Sequence, residues 1–268
     1  MFLLHYDFML RALAVGSLVS FCTGLLGTTV VLRRQSMIGD GLSHVGFGAL
    51  AIAAVFNAAP LAVALPLVCL AAFFLLKISE KGKTPSDAAL AMLSTTSLAL
   101  GVILLSISSK KNVDINSYLF GNILAIGKAD MLPCVLFSIA VIAVFIAIYN
   151  KIFAITFDET FAGASGLKTG FYNAVLALLI SITIVLGMRI MGALLISSVL
   201  ILPTLSALRL FKNFKSVTLF ASFLAVFGFI TGLFVSFWLG IPTGACIVIV
   251  NFLIFVVALG VNKCPKFL

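Results

Sequence analysis

The chain has 268 residues, of which 63% are hydrophobic and only 9% are charged, and its formal net charge at pH 7 is +9. Soluble domains carry about 25% charged residues, so a water-soluble fold of this composition would have to expose large apolar patches. The composition excludes an ordinary soluble protein and indicates a membrane protein, with a single transmembrane domain over residues 1–268.

The apolar segments are continuous rather than alternating, as in residues 135–149 and 219–239. Barrel strands would alternate polar and apolar side chains over about ten residues, whereas a helix needs roughly 20 apolar residues to cross the hydrocarbon core. We predict an all-α, polytopic helical membrane protein with about nine transmembrane helices, and with eight as the alternative because two of the segments are short. The predicted spans, in chain order, are residues 8–32, 41–56, 60–77, 87–107, 130–149, 171–188, 191–209, 216–238 and 242–262.

Two polar residues stand at the start of the second predicted span. Asp40 opens it and His44 follows four residues later, a spacing that places both side chains on one face of a helix. Ionisable residues inside a membrane are costly and suggest a functional site. A carboxylate beside an imidazole suits Zn²⁺ or Mn²⁺, and the second copy in a homodimer would raise two ligands to four. The alternative is an Asp–His hydrogen-bonded pair near a helix N-terminus, where the helix dipole favours Asp.

A loop between the fifth and sixth predicted spans contains a possible helix start. Residues 156–159 (TFDE) have the [ST]-x-x-E form of a capping box and predict a short helix that runs toward Ala164, with Gly166 as its stop. Phe157 and Phe161 would give this helix an apolar anchor for a soluble partner. The alternative is an ordinary surface helix.

The stretch 171–209 is too long for one crossing, yet its only interruption is Met188 to Met191. It predicts either two short helices or one helix followed by a re-entrant segment. Pro203 lies within its apolar part, where a proline removes one helical hydrogen bond and is expected to kink the helix.

The basic residues indicate the orientation in the membrane. With nine alternating spans, twelve Lys and Arg residues fall on one face and five on the other, and the richer face is cytoplasmic by the positive-inside rule. The C-terminus is then cytoplasmic. Contact with anionic lipid headgroups accounts for the net charge, and the absence of a basic stripe in the sequence argues against binding to nucleic acid.

The sequence lacks the motifs of the common enzyme classes that would suit a membrane chain. It contains no G-x-x-x-x-G-K-[ST], no H-E-x-x-H and no G-x-S-x-G, and it has only two histidines. The chain is therefore not expected to bind ATP in a P-loop by itself or to be an enzyme. Energy for any transport would come from another subunit or from an ion gradient.

Four segments together resemble a known family. Residues 31–44 (VLRRQSMIGDGLSH) are similar to its R-R-x-S-x-x-G-D-x-x-x-H motif, and residues 116–125 (NSYLFGNILA) to a motif that often has Asp where this chain has Asn122. Residues 191–203 (MGALLISSVLILP) and the turn 241–244 (IPTG) match two further motifs in the same order. The chain therefore resembles the permease subunits of bacterial zinc and manganese uptake ABC transporters, and a ligand role at Asn122 is doubtful.

The resemblance implies a homodimer in the bacterial plasma (inner) membrane, with cytoplasmic ATP-binding subunits and an extracytoplasmic metal-binding protein. It carries over Asp40 and His44 as metal ligands in the permeation path. It also identifies the loop around residues 158–168 as the coupling helix that docks on the ATPase. The loop residues carried over in this way are Asp158, Glu159, Phe161, Ala164 and Gly166.

The expected substrate is zinc, with manganese next, because no further carboxylate stands beside Asp40 and His44 in the sequence. No permanently bound cofactor is expected. The alternative function is a proton-coupled secondary metal transporter in which Asp40 and His44 relay protons. An intramembrane enzyme is disfavoured because a catalytic zinc site needs three protein ligands.

Overall fold

The computed structural model describes residues 7–80, 86–107, 121, 128–193 and 195–261, and all regular structure in them is α-helical. Continuous apolar sequence dictates this choice, since a helix satisfies its own backbone hydrogen bonds in lipid. The described helices are α1 (Asp7–Leu32), α2 (Ile38–Phe56), α3 (Pro60–Glu80), α4 (Ser86–Ile107), α5 (Lys128–Ala147), α6 (Tyr149–Phe157), α7 (Glu159–Ala164), α8 (Thr169–Met191), α9 (Ile196–Leu210), α10 (Phe214–Leu239) and α11 (Thr243–Val261). The motif at residues 116–125, including Asn122, lies outside the described residues except for Gly121.

Seven of the described helices are long and apolar enough to cross a membrane, namely α1 to α4, α8, α10 and α11. The helices α5 and α6 are bent by 68° relative to one another and add an eighth span if the pair counts as one. The prediction of nine spans is therefore too high for the part of the chain that is described, and the alternative of eight is its upper limit. The predicted span that is too short is 191–209, which corresponds to α9. The 15 residues of α9 give a length of about 22 Å, whereas the hydrocarbon core is about 30 Å thick.

The short helix α9 begins beside the middle of α1 rather than at its end. A methyl group on Gly187 would contact both Ile196, the first residue of α9, and Val19 of α1. Further along, Gly27 of α1 lies against the backbone of Leu200. The chain therefore crosses once in the 23-residue α8, turns at Gly192 with a φ of 93°, and starts α9 partway down the bundle.

The predicted interruption near Met188 to Met191 thus lies a few residues later, at residues 192–195. The sequence raised two short helices, or one helix followed by a re-entrant segment, as alternatives. The structure has one helix of 23 residues followed by one of 15, so the first helix is longer than the first alternative allowed. α9 stays helical through Pro203, and the side chain of Pro203 is buried.

The helices α1, α2 and α8 bury most of their residues, whereas α3, α4 and α11 bury fewer than a third of theirs. The largest fully buried side chains include Phe47, Phe145 and Phe229. The outer surface carries apolar side chains such as Phe223 and Val257, as lipid contact requires. The bundle therefore places α2 and its polar residues between packed neighbours on several sides.

The turn between α1 and α2 is tightly closed. The N–H of Gln35 donates to the carbonyl of Val30 at 2.9 Å, and the N–H of Arg34 donates to the carbonyl of Val31 at 3.0 Å. These two bonds define a Schellman motif, whose left-handed position is usually a glycine. Here Arg34 occupies that position with a φ of 58°. The turn joins the end of α1 to the start of α2 through residues 33–37 alone.

Candidate functional site

One side of α2 packs closely on α4 because its contact positions are glycines. A methyl group on Gly41 would lie 2.5 Å from a side-chain carbon of Leu90, and one on Gly48 would lie 2.8 Å from the carbonyl oxygen of Ser97. Glycines seven residues apart share a helix face, and small residues allow close approach of membrane helices. The α4 contact therefore fixes the rotation of α2 about its axis.

The opposite side of α2 packs on α8 and α9, again through two glycines seven residues apart. A methyl group on Gly39 would lie 3.4 Å from Ser197 and from Leu200 of α9, and one on Gly46 would lie 2.4 Å from the sulfur of Met188 in α8. Asp40 is flanked in sequence by Gly39 and Gly41, one on each packed face. At 100° per residue, Asp40 projects from the sector between α4 and α9.

The two polar residues of α2 lie side by side in this sector. Nε2 of His44 is 3.7 Å from Oδ2 of Asp40, and their side chains are 12% and 46% exposed respectively. This separation exceeds the usual length of an N–H···O hydrogen bond. Nδ1 of His44 is buried and has no hydrogen-bond partner among the described residues. The imidazole is therefore held near a carboxylate without being saturated by protein groups.

Within the described part of one copy of the chain, the Asp40–His44 pair has no third ligand beside it. Among the described residues, no group of three or more His, Cys, Asp or Glu side chains could hold a metal ion. Asp40 lies in the first turn of α2, and the Ser43 hydroxyl donates to the Asp40 backbone carbonyl at 2.7 Å. The carboxylate itself projects from α2 and is available to a ligand.

The predicted helix after the fifth span is present as α7, but its cap differs from the prediction. Asp158 is the N-cap, and one of its carboxylate oxygens accepts from the N–H of Phe161 at 2.8 Å. Thr156 lies inside α6 and donates its hydroxyl to the carbonyl of Ile152. The capping box that assigned this role to Thr156 is therefore wrong, because α6 continues through Phe157 and the chain becomes extended only at Asp158.

The C-terminal end of this helix follows the prediction. α7 ends at Ala164, and Gly166 adopts a φ of +84°. The N–H of Gly166 donates to Gly163, and the N–H of Leu167 donates to Ala162, which again forms a Schellman motif. Phe161 is 69% exposed on α7. The segment 158–166 is thus a compact, closed turn of helix with an exposed aromatic side chain. We call it the coupling segment, after the role that the sequence resemblance predicts for it.

Glu159, the first residue of α7, contacts two residues from other helices. Its carboxylate pairs with Arg33 after α1 and accepts from the side-chain amide of Asn173 near the start of α8. The sequence had singled out neither contact. The residue that could have indicated these contacts is Asn173, an amide near the start of α8, because a polar residue in a membrane helix usually has a polar partner.

A cavity of about 280 Å³ lies beside these contacts. Its lining includes Arg33 from the α1–α2 turn, Leu75 near the end of α3, Asp87 and Leu90 near the start of α4, and Asn173 near the start of α8. These helix ends therefore lie on one face of the bundle, as alternating crossings require. This face also carries the coupling segment, because Glu159 lines the same cavity.

Long apolar helices that pack on one another through glycines are those of a polytopic membrane protein. The sequence matches the ABC 3 transport family over residues 5–262, and the chain belongs to that family. The predicted resemblance to the permease subunits of metal-uptake ABC transporters is confirmed by this match and by the individual relatives.

Individual relatives cover almost the whole chain. The manganese import system permease protein ScaB of Streptococcus gordonii is 29% identical over 98% of this chain and 94% of its own length. The high-affinity zinc uptake system membrane protein ZnuB of Buchnera aphidicola subsp. Acyrthosiphon pisum is 30% identical over 87% of this chain and 90% of its own length. The solved structure of PsaBC from Streptococcus pneumoniae in complex with Fab matches with a TM-score of 0.88 and 27% identity, covering 97% of this chain and 94% of that one.

Proposed function

We propose that this chain is the membrane-spanning permease subunit of an ATP-binding cassette importer for divalent transition-metal ions in a bacterial plasma membrane. It works as a homodimer, with cytoplasmic ATP-binding subunits and an extracytoplasmic metal-binding protein. Membership of the ABC 3 transport family supports the class of transporter. The names of the relatives ScaB and ZnuB, which refer to manganese and zinc, support the class of substrate.

The observation that carries the proposal is the spacing of the Asp40–His44 pair. Two ligands that each lie about 2.1 Å from one ion in tetrahedral geometry are separated by roughly 3.4 Å. Oδ2 of Asp40 and Nε2 of His44 are 3.7 Å apart, so a small rotation of either side chain would let both bind one cation. At this distance no hydrogen bond joins the two side chains, so both can bind a cation.

The exposure of Asp40 supports a homodimer. Its side chain is 46% exposed on a helix that is apolar enough to cross the membrane, and a carboxylate facing lipid there is costly. A second copy placed against the sector between α4 and α9 would cover this carboxylate. Two copies of the pair supply the four ligands of a tetrahedral site, and a two-fold axis brings the same residues together.

The path for the ion then runs between the two permeases. A conducting site must bind its ion well enough to accept it and weakly enough to release it. A site divided between two protomers meets this requirement, because a change in the separation of the protomers removes half of the ligands at once. The extracytoplasmic protein delivers the ion, and ATP hydrolysis on the cytoplasmic subunits changes the separation.

The orientation follows from the charged residues. The described helix ends on the face that carries the coupling segment include Arg33, Arg34, Lys77 and Lys168, which supports its being cytoplasmic. The ATP-binding subunits would dock there, with the exposed ring of Phe161 as an apolar anchor. α10 runs antiparallel to α1, since Gly24 lies against Ser222 and Gly16 lies against Phe229. α10 therefore begins on the face where α1 ends, and α11 returns the C-terminus to that face.

Zinc is the proposed substrate and manganese is the second candidate. Imidazole suits zinc, whereas oxygen-rich sets suit manganese, and no third His, Cys, Asp or Glu completes the pair in the described residues. The name of ScaB refers to manganese, so the choice needs a direct measurement. Competition between labelled zinc and labelled manganese for uptake by the complete transporter decides it, and preferential uptake of manganese would overturn the choice of zinc.

The test of the function is metal uptake by cells that depend on this transporter. We expect Asp40→Asn and His44→Gln each to reduce uptake by more than the roughly tenfold that losing an outer-shell partner of a metal ligand already costs. Asp87→Asn is the matched control, since Asp87 is also an acid in the first turn of its helix. Copurification with the ATP-binding subunits establishes that each variant assembles. Wild-type uptake by assembled Asp40 and His44 variants would refute the site.

A further inference from the structure

Three side chains from distant parts of the chain form a closed ring on the face that carries the coupling segment. Nη1 of Arg33 donates to Oδ1 of Asn173 at 2.9 Å, and Nη2 of Arg33 donates to Oε2 of Glu159 at 2.5 Å. Nδ2 of Asn173 donates to Oε1 of Glu159 at 2.6 Å. Each residue therefore contacts both of the others. Bonds to charged groups are the stronger class of hydrogen bond, so the ring is a firm junction between three elements.

The ring is partly shielded from water. The side chain of Arg33 is 12% exposed and that of Glu159 is 46% exposed, and Asn173 is 6% exposed. A buried amide that bonds both partners fixes their relative position, because losing either bond would leave a polar group unsatisfied. Surface ion pairs, by contrast, hold geometry weakly. Because Arg33 and Asn173 are largely buried, the ring fixes the relative position of its members more firmly than a surface ion pair would.

On one side, the ring is joined rigidly to α2. Arg33 is the first residue after α1, and the Schellman turn at Arg34 closes directly onto the start of α2. The N–H of Ile38, the first residue of α2, donates to the carbonyl of Gln35 at 3.0 Å. Asp40 follows two residues later. A displacement of Arg33 is therefore passed to Asp40 through a hydrogen-bonded turn rather than through a flexible linker.

On the other side, the ring is joined rigidly to the coupling segment. Glu159 is the first residue of α7, immediately after the N-cap Asp158. The opposite end of α7 is closed by the bonds at Gly166 and Leu167. A short helix that is capped at both ends moves as one body, so its displacement reaches Glu159 directly.

The entry to α2 borders free volume. Met37 and Ile38 line the 280 Å³ cavity together with the ring residues. Packed protein interiors resist displacement because they contain few such spaces. The entry to α2 is therefore held by the ring and is not packed on all sides.

We propose that Arg33, Glu159 and Asn173 are positioning residues that transmit movement of the coupling segment to Asp40 and His44 on α2. This inference rests on the proposed function, since it presupposes an ATP-binding subunit that moves the coupling segment. The ring is the link through which the nucleotide state sets the position of the ligand pair. It does not itself contact the transported ion.

The experiment compares metal transported with ATP hydrolysed, using the complete transporter reconstituted in liposomes. Glu159→Gln removes the charge but keeps the size of the side chain, and Asn173→Ala removes the amide. We expect both variants to assemble, bind the ATP-binding subunits and hydrolyse ATP, while the number of ions transported per ATP falls by about fivefold or more, the lower end of typical coupling energies. Lys215→Gln is the matched control, since it removes an exposed positive charge at the start of α10 without touching the ring or the turn before α2, and its transport per ATP should equal that of the wild type.

A charge exchange separates transmission from a merely structural role. Arg33→Glu combined with Glu159→Arg restores an ion pair of opposite polarity, and we expect it to recover part of the transport per ATP that Glu159→Gln loses. Unchanged transport per ATP in the assembled single variants would overturn the inference, as would loss of ATPase binding without any loss of coupling in the complexes that do form. If the wild-type complex itself transports no metal with ATP, the proposed function fails, which is a different result.

Discussion

Gly24 of α1 and Ser222 of α10 are in direct backbone contact, and a methyl group on Gly24 would lie 2.3 Å from Cα of Ser222. Backbone atoms cannot rotate away as the tip of a side chain can. The contact between α1 and α10 therefore depends on the absence of a side chain at Gly24. Close approach at small residues is the usual basis of helix association in membranes, where burial of apolar surface supplies no driving force.

We predict that Gly24→Ala destabilises the protein by about 2 kcal/mol or more, within or above the range for overpacked cores. The measurement is the thermal unfolding midpoint of the purified protein in detergent. Gly170→Ala is the matched control, because Gly170 is a helical glycine with no neighbouring atom within 4 Å of an added methyl group. The control should keep or slightly raise the midpoint, since alanine is the better helix former. Equal midpoints for the two variants would contradict the close contact.

The cap of the coupling segment gives a second prediction. Asp158→Ala removes the acceptor for the N–H of Phe161 and is expected to weaken α7 by about 1 kcal/mol, the usual cost of losing an N-cap. Hydrogen exchange of the backbone amides of residues 159–164 should then become faster. Thr156→Val is the control, because the Thr156 hydroxyl bonds within α6, and exchange in α7 should be unaffected. Faster exchange in Thr156→Val but not in Asp158→Ala would instead show that Thr156 caps α7.

The orientation of the bundle is testable by labelling single cysteines in a variant whose native cysteines are replaced. Cysteine at Gly163, an exposed position in the coupling segment, should react from the cytoplasmic side. Cysteine at Ile241, which is 45% exposed in the turn between α10 and α11, should react from the outside. The reverse pattern would invert the proposed topology, and reaction of both positions from one side would contradict the antiparallel packing of α10 on α1.

The ligand chemistry gives a fourth prediction. His44→Asp turns the pair into an all-oxygen set, which suits manganese better than the mixed set does. The ratio of zinc to manganese uptake should therefore fall relative to the wild type, as measured by competition between the two labelled ions. Asp40→His makes the opposite change and should raise the ratio. If both variants shift the ratio in the same direction, or neither shifts it, then the pair does not contact the ion.

The sequence alone locates most of the long helices to within a few residues. The predicted span 8–32 corresponds to α1 (Asp7–Leu32), and the predicted span 242–262 corresponds to α11 (Thr243–Val261). This agreement has a simple cause, since the thickness of the hydrocarbon core sets the length of an apolar segment. The same rule fails for α9, because hydropathy reports how apolar a helix is and not how deep in the bundle it begins.

The position of the cap could not be read from the sequence for a different reason. Both Thr156 and Asp158 are good N-cap residues, and the choice between them depends on where the preceding helix ends. α6 extends to Phe157, where the rings of Phe153 and Phe157 pack against Phe214 of α10 at centroid distances of 5.3 and 6.1 Å. Tertiary packing therefore decides a feature that local propensity leaves open.

The ring of Arg33, Glu159 and Asn173 depends still more on the tertiary fold. Arg33 is separated in sequence from Glu159 by 126 residues and from Asn173 by 140. The proximity of Asp40 and His44, by contrast, could be inferred from the sequence, because both residues belong to one helix. Local periodicity brings i and i+4 together, but nothing local indicates which helix ends meet.

The left-handed conformation of Arg34 has a consequence for how the protein is made. A glycine would relieve the strain at this φ, yet the chain keeps a permanent positive charge there, next to a second one at Arg33. A hairpin with two arginines at its tip cannot draw that tip through the hydrocarbon core without a large cost in free energy. Two arginines at the tip favour the cytoplasmic side during insertion, so the residue that closes the turn in the mature protein also biases the orientation of α1 and α2.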